Sequence, residues 1–294
     1  MCFRTGHDSA LLHAKLQPCH HSREQHRSRS RPQRLPVVAS ALESLQSLAA
    51  QAARPTPGLV AGASVNSLVY VLGIKVLLAG LTPAGVLHSW FLGTTVYSAF
   101  GPAGYLLVCL YFVLGSLVTK VKLAQKQKEG IAEARSGRRT IGSVWGSGLA
   151  GMICAVAALA TGDTAFWQIG FVASFVSKLS DTVSSEIGKA YGQTTYLITT
   201  LRVVPRGTEG AVSVEGTLAG IAASILFGVI ALATGLVSTQ GVLVVAIAST
   251  VANVFESFLG AVVQGKVQWL SNDLVNMIQI SLAAVLALFG QNLL

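Results

Sequence analysis

Between positions 180 and 220 the chain reads SDTVSSEIGKAYGQTTYLITTLRVVPRGTEGAVSVEGTLAG, which collects Asp181, Glu186, Lys189, Arg206, Glu209 and Glu215 in a sequence that is otherwise nearly all apolar. Ionisable groups set among membrane spans are costly, and they are kept where they serve a site. Gly188, Gly192, Gly207, Gly210, Gly216 and Gly220 punctuate the same stretch, and glycine lets backbone amides come close to a phosphate. The chemistry these residue types fit is phosphate chemistry at a membrane. On a helix, Asp181, Ser184, Ser185, Gly188 and Gly192 share one face, with Glu186 and Lys189 beside them. Magnesium takes one or two carboxylates together with phosphate oxygens and water, which makes Asp181 a candidate ligand. The same small residues at four-residue spacing would equally let two membrane helices pack closely.

Downstream, PRGTEGAVSVEGTLAG at 205–220 places a Glu-Gly step twice, at Glu209-Gly210 and Glu215-Gly216. Arg206 offers a bidentate guanidinium suited to phosphate, and the amides of Gly207 and Gly210 could form a concave anion nest. Thr208, Ser213 and Thr217 add hydroxyls, and Glu215 could hold a metal or accept a ribose hydroxyl. Nearer the C-terminus Asn253, Glu256 and Ser257 interrupt an apolar run; Asn272, Asp273 and Asn276 precede the last one. Asn272 could cap that helix, and Asp273 could close the site from its other end. Of the four cysteines, Cys2 and Cys19 lie near the N-terminus, and Cys109 and Cys154 stand alone in apolar runs. Neither a disulfide framework nor a zinc site is indicated.

A membrane body must position these groups. The chain of 294 residues is 52% hydrophobic and only 11% charged, well below the roughly 25% charged residues of soluble domains. Seven of its 21 Lys and Arg fall in the first 40 residues against Asp8 and Glu24. That segment is rich in Arg, His and Ser and has no apolar core of the length a secretory signal needs. It reads as a disordered organellar transit peptide over 1–40, plastidial by its Ser/Arg character, followed by a linker over 41–58 and the membrane domain over 59–294. Apolar runs at 59–81, 83–100, 102–118, 143–161, 166–179, 218–236, 241–263 and 276–294 predict an all-α fold. The expected architecture is a polytopic membrane helix bundle of about six to eight transmembrane helices. The second and third runs meet at Gly101-Pro102 and form either a tight hairpin or one re-entrant unit. The fifth is too short to cross unless its helix continues past Asp181 and carries a polar end into the bundle.

Between 118 and 143 lies a basic loop, with Lys120, Lys122, Lys126, Lys128, Arg135, Arg138 and Arg139 against Glu129 and Glu133. Such a loop sets topology, facing the compartment of synthesis, or meets anionic lipid. Its functional reading is attraction of a polyphosphate toward the site. The other hydrophilic connections are short except 192–215, so there is no room for a separate nucleotide-binding domain. No GxxxxGK[ST] run is present, so a nucleotide would have to be held in another way.

Taken together, TKVKLAQKQKEGIAEARSGRRT, SDTVSSEIGKAYGQTTYLITT, VVPRGTEGAVSVEGTLAG and NVFESFLGA resemble the integral membrane family typified by transmembrane protein 19 and the plant plastidial phytyl-phosphate kinases of tocopherol synthesis, over 59–294. A weaker likeness extends to polyprenol kinases such as dolichol and phytol kinases, whose Asp, spaced glycines and later Ser-x-Glu-Gly-Ser/Thr resemble Asp181, Gly188, Gly192 and Ser213, Glu215, Gly216, Thr217. Two departures stand out: Val183 and Ser184 where relatives carry Trp and Ala, and Glu256-Ser257 where they carry Asp-Ser.

The resemblance implies a multi-pass protein of a chloroplast membrane, envelope or thylakoid, that transfers the terminal phosphate of CTP or ATP to phytyl monophosphate. The product would be phytyl diphosphate for tocopherol (vitamin E) and phylloquinone synthesis, with Mg²⁺ as cofactor, the lipid membrane as partner and no nucleic acid. On this reading Asp181, Lys189, Arg206, Glu209 and Glu215 are catalytic. Nucleotide-binding positions are Ser185, Gly188, Gly192, Gly207, Thr208, Gly210, Ser213, Gly216 and Thr217, with Lys122, Arg138 and Arg139 from the basic loop. Asp181, Glu186, Glu215 and Glu256 are the candidate metal ligands. A transporter or flippase of an isoprenoid phosphate and a CTP-dependent cytidylyltransferase are the alternatives.

Overall fold

The computed structural model describes residues 36–263 and 269–293. Residues 44–294 form one compact unit. The leader expected over 1–40 lies outside the described residues up to position 35, and helix α1 (Pro36–Ala52) runs through its expected end into the stretch read as a linker.

After α2 (Leu59–Gly80), whose N-terminus has no side-chain cap, the membrane helices start where the sequence supplies one. Helix α3 (Pro83–Thr119) begins behind Thr82, whose hydroxyl accepts from the Gly85 amide at 3.1 Å. Pro83 occupies the first turn, where a missing N–H costs nothing. The basic loop holds only the short α4 (Leu123–Lys128) and a 3₁₀ turn (Ala134–Gly137) before α5 (Ile141–Thr161). Asp163 caps α6 (Thr164–Tyr191), accepting from the Phe166 amide at 3.1 Å. A two-residue antiparallel ladder, β1 (Tyr196–Leu197) with β2 (Ala211–Val212), pairs Tyr196 with Val212 in the loop that follows. Ser213, Ser238 and Ser271 cap α7 (Val214–Ala233), α8 (Thr239–Val262) and α9 (Asn272–Gly290), so the last cap is Ser271 and not Asn272.

Six of the described helices, α2, α3, α5, α7, α8 and α9, are long and apolar enough to cross a membrane. Helix α3 doubles back on itself. Gly101 sits at φ 60° and ψ −157°, outside the helical range and ahead of Pro102, which has no N–H to donate. A Cβ there would lie 2.7 Å from the Arg54 carbonyl, so only glycine fits. The consequence is visible at both ends of the helix. A Cβ on Gly85 would lie 2.9 Å from the Arg139 carbonyl and one on Gly115 2.6 Å from its guanidinium, although thirty residues of straight helix would separate the two glycines by about 45 Å. Tyr97 and Tyr105, equidistant from the bend, meet edge to face at 5.4 Å. The runs at 83–100 and 102–118 are therefore the two arms of a tight hairpin.

Helix α6 is the central post. It packs against α3, α5, α7, α8 and α9, and every residue from 169 to 180 is buried. This enclosure explains how Ser174, Ser177, Lys178 and Ser180 are carried inside a membrane bundle: they face neighbouring helices and not lipid. The run read as too short to cross does continue, through Asp181 to Tyr191. Its closest neighbour is α7. A Cβ on Gly216 would meet the Ser184 carbonyl at 2.5 Å, and one on Gly220 the Ser180 carbonyl at 3.1 Å, so the small-residue track serves close helix packing. GSGLAG at 146–151 has the GxGxxG spacing of a dinucleotide turn, yet it lies inside α5. Cβ atoms on Gly148 and Gly151 would strike Leu92 and Phe175, so these glycines are contact surface between helices.

Because α3 returns to its starting level, the connections 80–83, 119–141 and 191–214 gather at one end of the bundle, together with the C-terminal end of α8 and the N-terminal end of α9. Hydrogen bonds tie the first two together, Thr82 N to Arg139 O at 3.0 Å and Arg139 N to Gly80 O at 2.9 Å.

Candidate active site

At that end lies a cavity of about 490 Å³, lined from α3, α5, α6, α8, α9 and both long loops. Its wall is built on the polar half of α6, where Lys178, Asp181, Ser185 and Lys189 follow helical spacing along one side. Lys178, with its side chain 9% exposed, donates to Asp181 Oδ2 at 2.6 Å and to Asn276 Oδ1 at 2.9 Å. Across from it, the Tyr111 hydroxyl donates to Ser147 Oγ at 2.9 Å. Arg139 donates to the same Tyr111 oxygen, with its guanidinium carbon 4.5 Å from the ring centroid. Glu256 enters from α8, with Asp181 and Lys178 as its electrostatic neighbours. Five helices thus converge on one set of charges.

Toward the loops the cavity is walled by the basic segment. Lys126, fully buried, is paired with Glu186 and also donates to the Thr119 carbonyl at 2.9 Å. Lys189 lies between Glu186 and Glu133, 3.8 Å from each. Arg206 donates to both oxygens of Glu129, at 2.9 and 3.0 Å, and to the Lys189 carbonyl at 3.3 Å. These pairs fasten 123–139 across the end of α6. The turn at 207–210 completes the rim: Gly210, at φ 71°, is pressed against α8 so closely that a Cβ would meet the Ser257 carbonyl at 2.5 Å. Among the described residues no acceptor engages the amides of Gly207, Glu209 and Gly210. The Glu209 side chain keeps access to solvent, yet desolvation by the cavity wall raises its carboxyl above the usual range, with the Lys189 ammonium opposing.

The structure brings most of the sequence-chosen residues to this cavity. Asp181, Ser185, Glu186, Gly188 and Lys189 line it from α6; Gly207, Thr208, Glu209, Gly210 and Ser213 from the following loop; Arg138 and Arg139 from the basic loop; Glu256 from α8. Six do not line it. Lys122 donates to the Ala190 carbonyl at 3.1 Å and lies 3.9 Å above the Tyr191 ring. Gly192 and Gly216 are buried where α6 meets α7, and Thr217 is exposed on the outer side of α7. Glu215 accepts from the Gln193 amide at 3.2 Å, and Arg206 is held by Glu129. Sequence reasoning passed over Lys178 and Tyr111, both of which line the cavity, as does Arg135 from the basic loop. A lone lysine in an apolar run, three residues before Asp181, was the available signal; Tyr111 had none.

The candidate metal ligands do not assemble as one set. Among the described residues no three of His, Cys, Asp or Glu are placed to hold an ion by themselves. Glu186 is committed to lysines, and Glu215 is outside the cavity. Asp181 and Glu256 share the floor, and two carboxylates fit Mg²⁺, which completes its shell with phosphate oxygens and water.

A polytopic helical membrane protein with a charged cavity at one end of its bundle is the class this fold and site define. Residues 66–284 match the Integral membrane protein DUF92 family, and the chain belongs to it. It is 49% identical over 232 residues to the Arabidopsis thaliana protein named "Protein VTE6, chloroplastic", covering 77% of this chain and 70% of that one. A membrane protein of Synechocystis is 50% identical over 212 residues, covering 71% and 81%. Another, from Methanocaldococcus jannaschii, is 34% identical over 144 residues, covering 49% and 58%. No solved structure matches the chain. With its likeness to the chloroplastic protein and its membrane-crossing helices, this is a multi-pass protein of a chloroplast membrane.

Proposed function

We propose that the chain is a phytyl-phosphate kinase of the tocopherol pathway, using CTP or ATP as donor. One observation carries the reading: a cavity at one end of the bundle in which Lys178, Lys189, Arg135, Arg138 and Arg139 surround carboxylates on α6 and α8. A phosphate monoester on a lipid tail and a nucleoside triphosphate are the substrates that need such a place. A non-bridging oxygen of phytyl monophosphate attacks the terminal phosphorus, and the new P–O–P linkage forms. The bond to the donor's bridging oxygen breaks, and the nucleoside diphosphate leaves with that electron pair.

The attacking oxygen is already anionic at neutral pH, so the protein supplies alignment and charge neutralisation and no strong base. Lys189 and the amides at 207–210 hold donor phosphates, while Asp181 and Glu256 would hold magnesium. Bound there, the ion would screen the phosphate oxygens from one another. Purified protein given phytyl monophosphate, Mg²⁺ and labelled donor provides the test. Terminal-phosphate label in phytyl diphosphate is the expected result; cytidine label in the lipid would mean a cytidylyltransferase, and no label in lipid would overturn the kinase reading.

A further inference from the structure

Lys178 and Lys189 stand at opposite ends of the same wall. Eleven residues of helix separate them by about 16 Å along the axis of α6. Lys178 lies near the end of the fully buried run 169–180, deep in the bundle, whereas Lys189 is 23% exposed among the loops. The two ends differ in chemistry as well as depth. At the deep end the ammonium of Lys178 has three N–H donors and spends two, on Asp181 and Asn276. Arg139 donates a hydrogen bond to Tyr111, which is an electrostatic neighbour of Lys178, and among the described residues it forms no ion pair with a carboxylate. At the outer end are the unengaged amides of the 207–210 turn, the exposed Arg135 and Arg138, and Lys189.

We infer that the cavity holds two separate phosphate subsites, and that the deep one, formed by Lys178 and Arg139, takes the phosphate of the lipid acceptor while the loop end takes the nucleotide. This rests on the kinase reading and adds the direction of substrate binding to it. Depth decides the assignment. A phosphate monoester attached to a long isoprenoid keeps its tail in hydrocarbon, so its head is satisfied by cations sunk within the helices. A water-soluble triphosphate arrives from the loop side. Asp181 and Asn276 act as positioning residues, holding the Lys178 ammonium at the floor. Burying that ammonium is costly, and a bound phosphate would use its third donor.

The test measures KM for each substrate separately, together with equilibrium binding of radiolabelled phytyl monophosphate to the full chain in detergent micelles. Lys178→Met should raise KM and Kd for phytyl monophosphate at least tenfold and leave KM for the nucleotide within about twofold. Lys189→Met should show the reverse split. Lys178→Arg, which keeps the charge, should recover most of the lipid binding. Should Lys178→Met fail to fold by its thermal melt, Arg139→Gln makes the same prediction from a side chain on a loop. A rise in nucleotide KM with lipid binding unchanged in either variant overturns the assignment. Wild-type protein that binds the lipid phosphate through Lys178 yet transfers no phosphoryl group would leave the subsite standing and remove the kinase.

Discussion

Lys126 and Glu186, sixty residues apart in the chain, form an ion pair with each side chain only 1% exposed. The pair joins the basic loop to the last turns of α6, and Lys189 adds a second cation 3.8 Å from the other Glu186 oxygen. Glu186 therefore acts as an anchor for the cavity wall. Removing one partner of a buried pair strands the other charge, at a cost of about 3–5 kcal/mol. Glu186→Gln should lower stability by that order in denaturant or thermal melts. The Mg²⁺ concentration for half-maximal activity should not change; a large shift in it would return Glu186 to the metal site.

The Arg206 guanidinium suits a phosphate by type, yet it is occupied by Glu129 and the Lys189 carbonyl. It touches the site only through the backbone of Lys189. Arg206→Ala should therefore cost less than tenfold in kcat/KM, and Glu129→Gln should give a similar loss because both break the same tie. A loss on the order of 10², the scale of removing a transition-state charge contact, would place the guanidinium on the phosphate during turnover.

How far the fold could be read from sequence follows from what each segment exposes. Lipid-facing helices such as α2 and α7 are apolar nearly throughout, and hydropathy finds them. Helix α6 touches protein on all sides along 169–180, so nothing forces it to look apolar, and its polar half obscured its length. The bend in α3 is signalled by Gly101-Pro102, and the meeting of Gly85 and Gly115 at Arg139 shows that its two arms return to one level. For the site, Asp181, Lys189, Glu209 and Glu256 stood out as ions in an apolar chain, and they do line the cavity. Arg206 and Glu215 stood out for the same reason and lie outside it, because charge contrast marks polar segments without giving the direction of a side chain. Tyr111 is one aromatic among many until α5 and α6 are packed against it.

Asp181 holds the Lys178 ammonium at 2.6 Å and shares the cavity floor with Glu256. Asp181→Asn keeps the shape and removes the charge. Turnover should fall by on the order of 10² or more, and the half-saturating Mg²⁺ concentration should rise. Turnover that falls while the Mg²⁺ requirement stays at the wild-type value would make Asp181 a holder of Lys178 alone and take it out of the metal site.

The turn at 207–210 offers a test that involves no ionisable group. Gly210 has φ 71°, and a Cβ would collide with the Ala261 amide and meet the Ser257 carbonyl at 2.5 Å. Both contacts are backbone on α8, so neither neighbour can move aside as a flexible side chain would. Gly210→Ala must shift the turn away from α8, at a cost of about 1–3 kcal/mol for the strained backbone, and it carries Glu209 and the free amides with it. If those amides cradle the donor, the substitution should raise KM for the nucleotide more than tenfold while binding of phytyl monophosphate at the deep end holds near its wild-type value. An unchanged nucleotide KM in a protein whose melting temperature has dropped would show that the turn only packs against α8 and takes no part in holding phosphate.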